Sequence, residues 1–224
     1  MKHLSIILIL SVLLACNKKN NTSIVVKVKK VEGETVLPFF NSAEFTPEWI
    51  DENSEKYSDI HTIPTFSFIN QNNKIITNED YKGKIYIADF FFTTCPSICP
   101  KLTKQMNALQ SIYNDDDDVM LLSHSVMPWK DSVNVLKKYA VNNNIIDTKW
   151  NLVTGDKDAL YNIARQGYFA DEDFRKTQDE RAFIHTENFI LIDKKGRIRG
   201  VYNGTLEIET ERIVKHIKLL KREG

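Results

Sequence analysis

Residues 85–100 read IYIADFFFTTCPSICP, and this stretch decides the fold. Its first eight residues are the most apolar run downstream of the N-terminal leader, and they predict a buried strand. Helical periodicity follows from about residue 97 to residue 113. Cys95 and Cys99 are therefore expected on the turn where a strand leads into a helix. Two thiols at such a turn can form a disulfide or bind a soft metal ion.

Strand and helix patterns alternate along the rest of the chain. Alternating residues 60–68, a turn at 70–74 and residues 75–77 predict a β-hairpin, and Gly196 supplies the turn of a second one. Further strands are predicted at 119–125, 149–153, 188–193 and 198–203, and further helices at 131–141, 156–164 and 207–222. This order predicts an α/β fold: a thioredoxin-like central sheet flanked by helices, with an added N-terminal β-hairpin.

The N-terminus has the pattern of an export signal. Lys2 and His3 precede apolar residues 4–14, a run too short to span a bilayer comfortably. The run ends in LLAC at Cys16 and resembles a bacterial lipoprotein signal, although an ordinary secretory signal with an incidental cysteine remains the alternative. The lipoprotein resemblance implies a lipid on Cys16 and a membrane-anchored protein that faces the periplasm or another extracytoplasmic space.

Three segments follow from this interpretation. Residues 1–15 are expected to be the signal peptide. Residues 16–35 would be the lipidated cysteine and a polar, lysine-rich tether. Residues 36–224 would then be the folded domain, which is long enough to bury a sizeable core.

Composition narrows the function classes. The chain is 42% hydrophobic and 27% charged, as is typical of soluble globular domains. Its 30 Lys and Arg residues balance 30 Asp and Glu residues, so no net charge attracts nucleic acid, and a nucleic-acid partner is excluded. In an exported protein a close cysteine pair is expected to oxidise, so a metal-binding pair would need a reductant.

The spacing of the two cysteines bears on their chemistry. A helix N-terminus lowers the pKa of nearby thiols, and both thiols are expected to be reactive and solvent-accessible. Disulfide oxidoreductases of this fold usually place two residues between the cysteines, whereas Cys95 and Cys99 have three. That spacing does not forbid a disulfide, but it suits chelation of a soft cation such as Cu(I) or Zn(II). Two thiolates then need at least one more ligand.

The histidines are the obvious source of that ligand. His185 lies just before the strand at 188–193, where a thioredoxin-like chain packs against the cysteine loop, and it is predicted as the third ligand. His216 falls on the last helix and His61 near the first hairpin. His124 ends a predicted strand, where a hydrogen-bonding role in the core is an equal alternative.

Several motifs together resemble the Sco/SenC family over residues 61–224. They are TIP at 62–64, FSF at 66–68, TCPSICP at 94–100, FIH at 183–185 and LIDKKG at 191–196. The resemblance implies a thioredoxin-like fold and copper, as Cu(I) or Cu(II), bound by Cys95, Cys99 and His185. It also implies copper delivery to, or thiol reduction of, the binuclear copper site of cytochrome c oxidase subunit II.

The chain departs from the family pattern at one position. Many members carry an Asp-Pro pair followed by a second Asp three residues later. Pro128 and Asp131 match this pattern, whereas Met127 replaces the first Asp. The role of that first carboxylate therefore does not transfer to this chain, and Met127 is interpreted as a packing residue.

Two enzymatic alternatives remain beside a metallochaperone. In a thiol–disulfide oxidoreductase acting on exported protein cysteines, Cys95 would attack and Cys99 would resolve the mixed disulfide. A peroxidase of the peroxiredoxin type requires a threonine three residues before its reactive cysteine. That position is Phe92 here, which argues against a peroxidase.

Overall fold

A buried mixed sheet forms the centre of the protein, since its long inner strands are apolar on both faces. The computed structural model describes residues 36–171, 184 and 186–223. Within them, a small sheet of β1 (Phe39–Phe40) and β2 (Pro47–Glu48) precedes the main sheet. The strands of the main sheet are β3 (Ser67–Asn70), β4 (Ile75–Thr77), β5 (Ile85–Phe91), β6 (Val119–Ser125), β7 (Trp150–Thr154), β8 (Asn188–Ile192) and β9 (Ile198–Asn203).

The strand order places the cysteine turn at one edge of this sheet. The order is β4-β3-β7-β6-β5-β8-β9, in which β5, β6 and β7 are parallel. The outer pairs are antiparallel, with β3 against β7 and β8 against β5. Because parallel strands end at the same edge, the carboxyl ends of β5, β6 and β7 lie together, and Cys95 follows β5 there.

Helices cover both faces of the sheet. In the described ranges these helices are α1 (Cys99–Ile112), α2 (Val133–Asn142), α3 (Lys157–Asn162) and α4 (Glu207–Leu220). Alternate side chains of β5 enter two separate cores, because successive strand residues point to opposite faces. Ile87 packs in one core with residues of α1, α2 and α4, and Ala88 packs in the other with residues of α3.

The structure confirms the predicted α/β fold with its thioredoxin-like sheet. The predicted hairpin is present as β3 and β4 at the sheet edge beside β7. Its first strand begins at Ser67 rather than at residue 60, since Pro64 has no amide to donate and Thr62 forms only an isolated bridge with Arg197. The helix predicted at 156–164 is α3, with Asp156 as its N-cap, followed by a π-helical turn, Ile163–Gly167.

Some predictions fall on residues that the structure does not describe. The signal peptide at 1–15, the tether at 16–35 and Cys16 lie outside the described residues, as do residues 172–183 and His185. All described residues belong to one unit, Glu34–Gly224. Among the described residues, none of the helices has the length and apolar character that a membrane span requires.

Candidate metal and redox centre

The two cysteines flank the junction between β5 and α1. After β5 the chain turns, and the Cys95 amide donates to the Phe92 carbonyl at 3.2 Å. Cys99 is the first residue of α1. The carbonyl of the preceding residue, Ile98, accepts from the amide of Leu102 at 3.0 Å. Pro100 lies in the first turn of α1, where backbone amides have no partner within the helix, so the amide that proline lacks costs no hydrogen bond. Backbone groups at Ser97, Ile98 and Cys99 lie next to the Cys95 thiol, and the backbone at Phe92 lies next to the Cys99 thiol.

The two thiols differ in exposure. Cys95 is half-buried, whereas Cys99 is only 3% exposed and packs in the core with Leu102 and Phe91. The prediction that both thiols are solvent-accessible is therefore wrong for Cys99, because the first residue of α1 points at the core and not at solvent. Both cysteines are free thiols in this structure.

The surroundings shift the two thiol pKa values in opposite directions. Burial opposes ionisation of Cys95, but hydrogen bonds from the backbone at Cys99, Ser97 and Ile98 and from the Cys99 thiol outweigh it, so the pKa of Cys95 is lowered. Burial raises the pKa of Cys99 to about 12, although the backbone at Phe92 lowers it in part. Cys95 therefore ionises more readily than the buried Cys99 beside it.

A largely apolar cavity of about 310 Å³ lies against the two thiols. Phe90, Phe92 and Val126 line it from the ends of β5 and β6. Ile184 and Thr186, both buried, line it as well, and they are the residues on either side of His185 in the sequence. His185 itself lies outside the described residues. Among the described residues, no three His, Cys, Asp or Glu side chains converge as a metal-binding group, so the described donors are two sulfurs.

The other described histidines have partners or positions of their own. His61 Nε2 contacts the Gly167 carbonyl oxygen at 2.8 Å, and His216 Nδ1 contacts the Tyr202 hydroxyl at 2.7 Å. His124 is fully buried with its ring stacked on Phe90, centroids 5.0 Å apart. Neither of its ring nitrogens has a hydrogen-bond partner of good geometry within the described part of the chain, although the backbone at Asp89 partly opposes the effect of burial on its pKa. Burial lowers the pKa of His124 to about 3, which keeps the ring neutral.

A buried carboxylate joins the cysteine turn to β6. Asp131 is fully buried, and the prediction that it begins a helix is wrong, because α2 begins two residues later. Its Oδ1 accepts from the Thr93 hydroxyl at 2.5 Å, and its Oδ2 accepts from the Ser125 hydroxyl at 2.6 Å. The sequence placed Asp131 as a match to the family pattern and as the start of a helix, and it gave no sign of these contacts.

A second buried carboxyl lies within β5 itself. Asp89 is 2% exposed and accepts a hydrogen bond from the Ser123 hydroxyl, which also accepts from Trp150 Nε1 at 2.8 Å. Burial raises the pKa of Asp89 to about 7, with the Ser123 hydrogen bond opposing this shift. The negative charge of Asp89 contributes to the raised pKa of Cys99. A lone carboxyl inside an apolar run was the available sequence signal for this residue.

Comparison with solved structures places these features in a known group. A lipoprotein of the SCO1/SenC family from Bacillus anthracis str. Ames is 30% identical, with a TM-score of 0.62 over 72% of this chain and 95% of that one. BsSco is described as having a disulfide switch and as a member of the Sco family of cytochrome c oxidase assembly proteins. It is 29% identical, with a TM-score of 0.61 over 72% of this chain and 94% of BsSco.

A more distant structure shares the fold. Yeast Sco1 with copper bound is 22% identical, with a TM-score of 0.54 over 70% of this chain and 89% of that one. The sequence model of the SCO1/SenC family matches residues 54–221, which include every strand of the main sheet and both cysteines of the turn. This protein belongs to the SCO1/SenC family.

Proposed function

We propose that this protein is a membrane-anchored copper metallochaperone with Cys95, Cys99 and His185 as its copper ligands. Its acceptor would be the binuclear copper site of cytochrome c oxidase subunit II, to which it delivers copper or whose thiols it keeps reduced. The observation that carries the proposal is the cavity against the two thiols, since Ile184 and Thr186 line it on either side of His185 in sequence. Yeast Sco1, of the same fold, holds copper, and BsSco belongs to a group of oxidase assembly proteins.

The donor set fits copper as the transported substrate. Thiolates bind soft cations such as Cu(I) and Zn(II), and the largely apolar lining of the cavity limits the access of water to such a site. Cys95 ionises more readily than Cys99, whose pKa is raised to about 12, so a metal that binds Cys99 displaces its proton. Copper binding would therefore release protons, and the half-buried Cys95 is the ligand that an acceptor could displace first.

A thiol–disulfide oxidoreductase is the second candidate, and the unequal thiols favour it. The Cys95 thiolate would attack a disulfide of the substrate and release one substrate thiolate. Cys99 would then lose its proton and attack Cys95, which releases the second substrate thiol and leaves a Cys95–Cys99 disulfide. The disulfide switch described for BsSco supports this cycle. Both functions need the reduced pair and can coexist.

The membrane anchor forms a separate part of the proposal. The LLAC sequence at residues 13–16 supports lipidation of Cys16, and the relative from B. anthracis is a lipoprotein. A Cys16→Ser variant is expected to leave the membrane fraction when cells are broken and separated by centrifugation. Retention of that variant in the membrane fraction would exclude the lipid as the anchor.

Anaerobic titration of the reduced full chain in detergent with Cu(I), against a chromogenic competitor, tests the site. The wild type is expected to bind one copper per chain. Cys95→Ser or Cys99→Ser abolishes this binding, and His185→Ala weakens it at least about tenfold, because a ligand is lost. His216→Ala is the matched control, since His216 lies on α4 and contacts Tyr202. Undiminished affinity in His185→Ala would reject the three-ligand site.

Spectroscopy and redox assays separate the two candidate functions. The cupric form is expected to show thiolate-to-copper charge-transfer bands that disappear in Cys95→Ser. A protein that binds no copper but reduces an oxidised peptide of the oxidase subunit would be an oxidoreductase alone. In that case His185→Ala leaves the rate of peptide reduction unchanged.

A further inference from the structure

We propose that Asp131 is a positioning residue that fixes the cysteine turn in its copper-binding shape and acts through Thr93. This inference rests on the proposed copper function for its purpose, but its geometry stands apart from it. Thr93 lies two residues before Cys95 and two residues after the end of β5. Asp131 comes from the loop between β6 and α2, so its carboxylate joins two separate segments at the same sheet edge.

The carboxylate holds Thr93 by both its backbone and its side chain. Besides the hydroxyl contact at 2.5 Å, the Thr93 amide lies 3.4 Å from Oδ1 and 3.3 Å from Oδ2 of Asp131. Two donors on one residue fix its orientation as well as its position. The next hydrogen bond along the turn joins the Cys95 amide to the Phe92 carbonyl, so the carboxylate holds the start of the segment that presents the thiol.

The other side of the carboxylate is equally fixed. Its Oδ2 accepts from the Ser125 hydroxyl at 2.6 Å, and the Ser125 oxygen accepts from the Met127 amide at 3.1 Å. The Asp131 amide donates to the Met127 carbonyl at 2.9 Å, which closes the loop on itself. These hydrogen bonds tie the loop to the end of β6, so Asp131 connects β6 to the cysteine turn.

The composition of the cluster argues for a role beyond stability. Asp131 is fully buried, and no Lys or Arg in the described part of the chain forms an ion pair with it. A buried carboxylate held only by neutral donors is costly compared with an apolar residue at the same place. A buried carboxylate of this kind is often retained because it orients a metal ligand. Loss of such a residue typically weakens metal binding about 10- to 100-fold.

The test compares Asp131→Ala, Asp131→Asn and Thr93→Val in the reduced full chain. Cu(I) affinity is expected to fall about 10- to 100-fold in Asp131→Ala and Thr93→Val. Asp131→Asn keeps one accepting oxygen and is expected to give an intermediate loss. Because the residues act as one unit, the double variant Asp131→Ala, Thr93→Val should lose little more than either single variant. Additive losses would overturn the proposal.

A second measurement needs no copper. Alkylation of Cys95 by iodoacetamide at pH 7 in the metal-free reduced protein is expected to slow several-fold in Asp131→Ala and Thr93→Val, since the thiolate loses its ordered amides. Asp156→Ala is the matched control. It removes a carboxylate that caps α3 at the same edge of the sheet, and its alkylation rate should equal that of the wild type.

These measurements separate the two proposals. If the wild type binds no copper, the proposed function fails, while slowed alkylation in both variants still supports Asp131 as the positioning residue. If Asp131→Ala does not fold, Thr93→Val decides, because it removes only a hydroxyl from a half-buried side chain. Wild-type copper affinity and wild-type alkylation in folded Thr93→Val would overturn the role of Asp131.

Discussion

Both edges of the central sheet bury charged side chains, but in the described part of the chain Arg199 at one edge is paired with opposite charges, whereas Asp131 and Asp89 at the other are not. At the edge where β9 starts, the Arg199 guanidinium contacts the carboxylates of Asp193 and Glu223 and donates to the carbonyls of Leu37 and Pro38 at 2.6 and 3.0 Å. Arg199 is only 1% exposed, and its charge is matched by the buried Asp193 and by Glu223 at the surface. This cluster lies away from the cysteines. Ile198 of β9 pairs with Ile192 of β8, and Ile192 pairs with Tyr86 near the start of β5, whereas Cys95 follows the end of β5.

The cysteine edge leaves its buried groups without matching charges. In the described part of the chain, Asp131 and Asp89 receive hydrogen bonds only from hydroxyls and an amide, and the buried Cys99 has a strongly raised pKa. Displaced pKa values of this kind concentrate at functional sites. The edge around Arg199 thus contributes stability by joining the N-terminal and C-terminal segments. The other edge keeps reactive groups at a cost in stability.

The largest expected effect belongs to the stabilising edge. Arg199→Leu leaves buried Asp193 without one of its cations and two carbonyls without donors, and we expect a loss of about 3–5 kcal/mol in the free energy of unfolding. Urea denaturation followed by circular dichroism measures it. The exposed pair of Lys82 and Glu79 gives the control, because Lys82→Met should cost less than about 1 kcal/mol. Copper affinity of folded Arg199→Leu should stay at the wild-type value, and a large loss would mean that the two edges are not independent.

Asp89→Asn is expected to change how stability depends on pH. The folded pKa of Asp89, about 7, lies above its ordinary value near 3.8, so this group stabilises the fold fully below about pH 4. That contribution is lost as pH rises to about 7 and reaches about 4 kcal/mol at most, from three pKa units. The variant should therefore lose less stability than the wild type between pH 4 and pH 8.

Urea denaturation at several pH values measures the difference between Asp89→Asn and the wild type, which isolates this group from the opposite effect of His124. The pKa of His124 is lowered to about 3, so its contribution is lost as pH falls. Asp158→Asn, at an exposed position on α3, serves as the control with a wild-type profile. Parallel profiles for Asp89→Asn and the wild type would contradict a raised pKa at Asp89.

The two thiols should react at different rates. At pH 7 the reduced wild type is expected to alkylate at Cys95 at least about 30-fold faster than at Cys99. Three or more pKa units separate the thiols, and the higher nucleophilicity of the more basic thiolate offsets about half of that difference. Mass spectrometry of peptides after timed labelling measures both rates. In urea-unfolded protein the two rates should converge, and equal rates in the folded protein would contradict the asymmetry.

The fold could be predicted from the sequence because the patterns that indicate its strands and turns are local. The apolar run that became β5 and the turn glycine Gly196, with φ of +77°, needed no tertiary information. The burial of Cys99 and the inward direction of Asp131 depend on how α1 and the loop after β6 pack on the sheet, which no short pattern records. Long-range hydrogen bonds such as the one from Thr93 to Asp131 join residues 38 positions apart, so spacing along the chain could not predict them.

The smallest effect is expected at Asp156, which lies at the cysteine edge but takes no part in the hydrogen bonds between Asp131, Thr93 and Ser125. Asp156 follows β7 at that edge, and its carboxylate accepts from the Ala159 amide, at 2.9 Å, as the N-cap of α3. Asp156→Ala is expected to cost about 1 kcal/mol in the free energy of unfolding, as loss of an N-cap usually does, and to leave copper affinity unchanged. Urea denaturation and Cu(I) titration of the same preparation measure the two quantities. Weakened copper binding in this variant would mean that any destabilisation at this edge disturbs the copper site. The difference between the two edges would then come from low local stability and not from a specific hydrogen-bond network around the thiols.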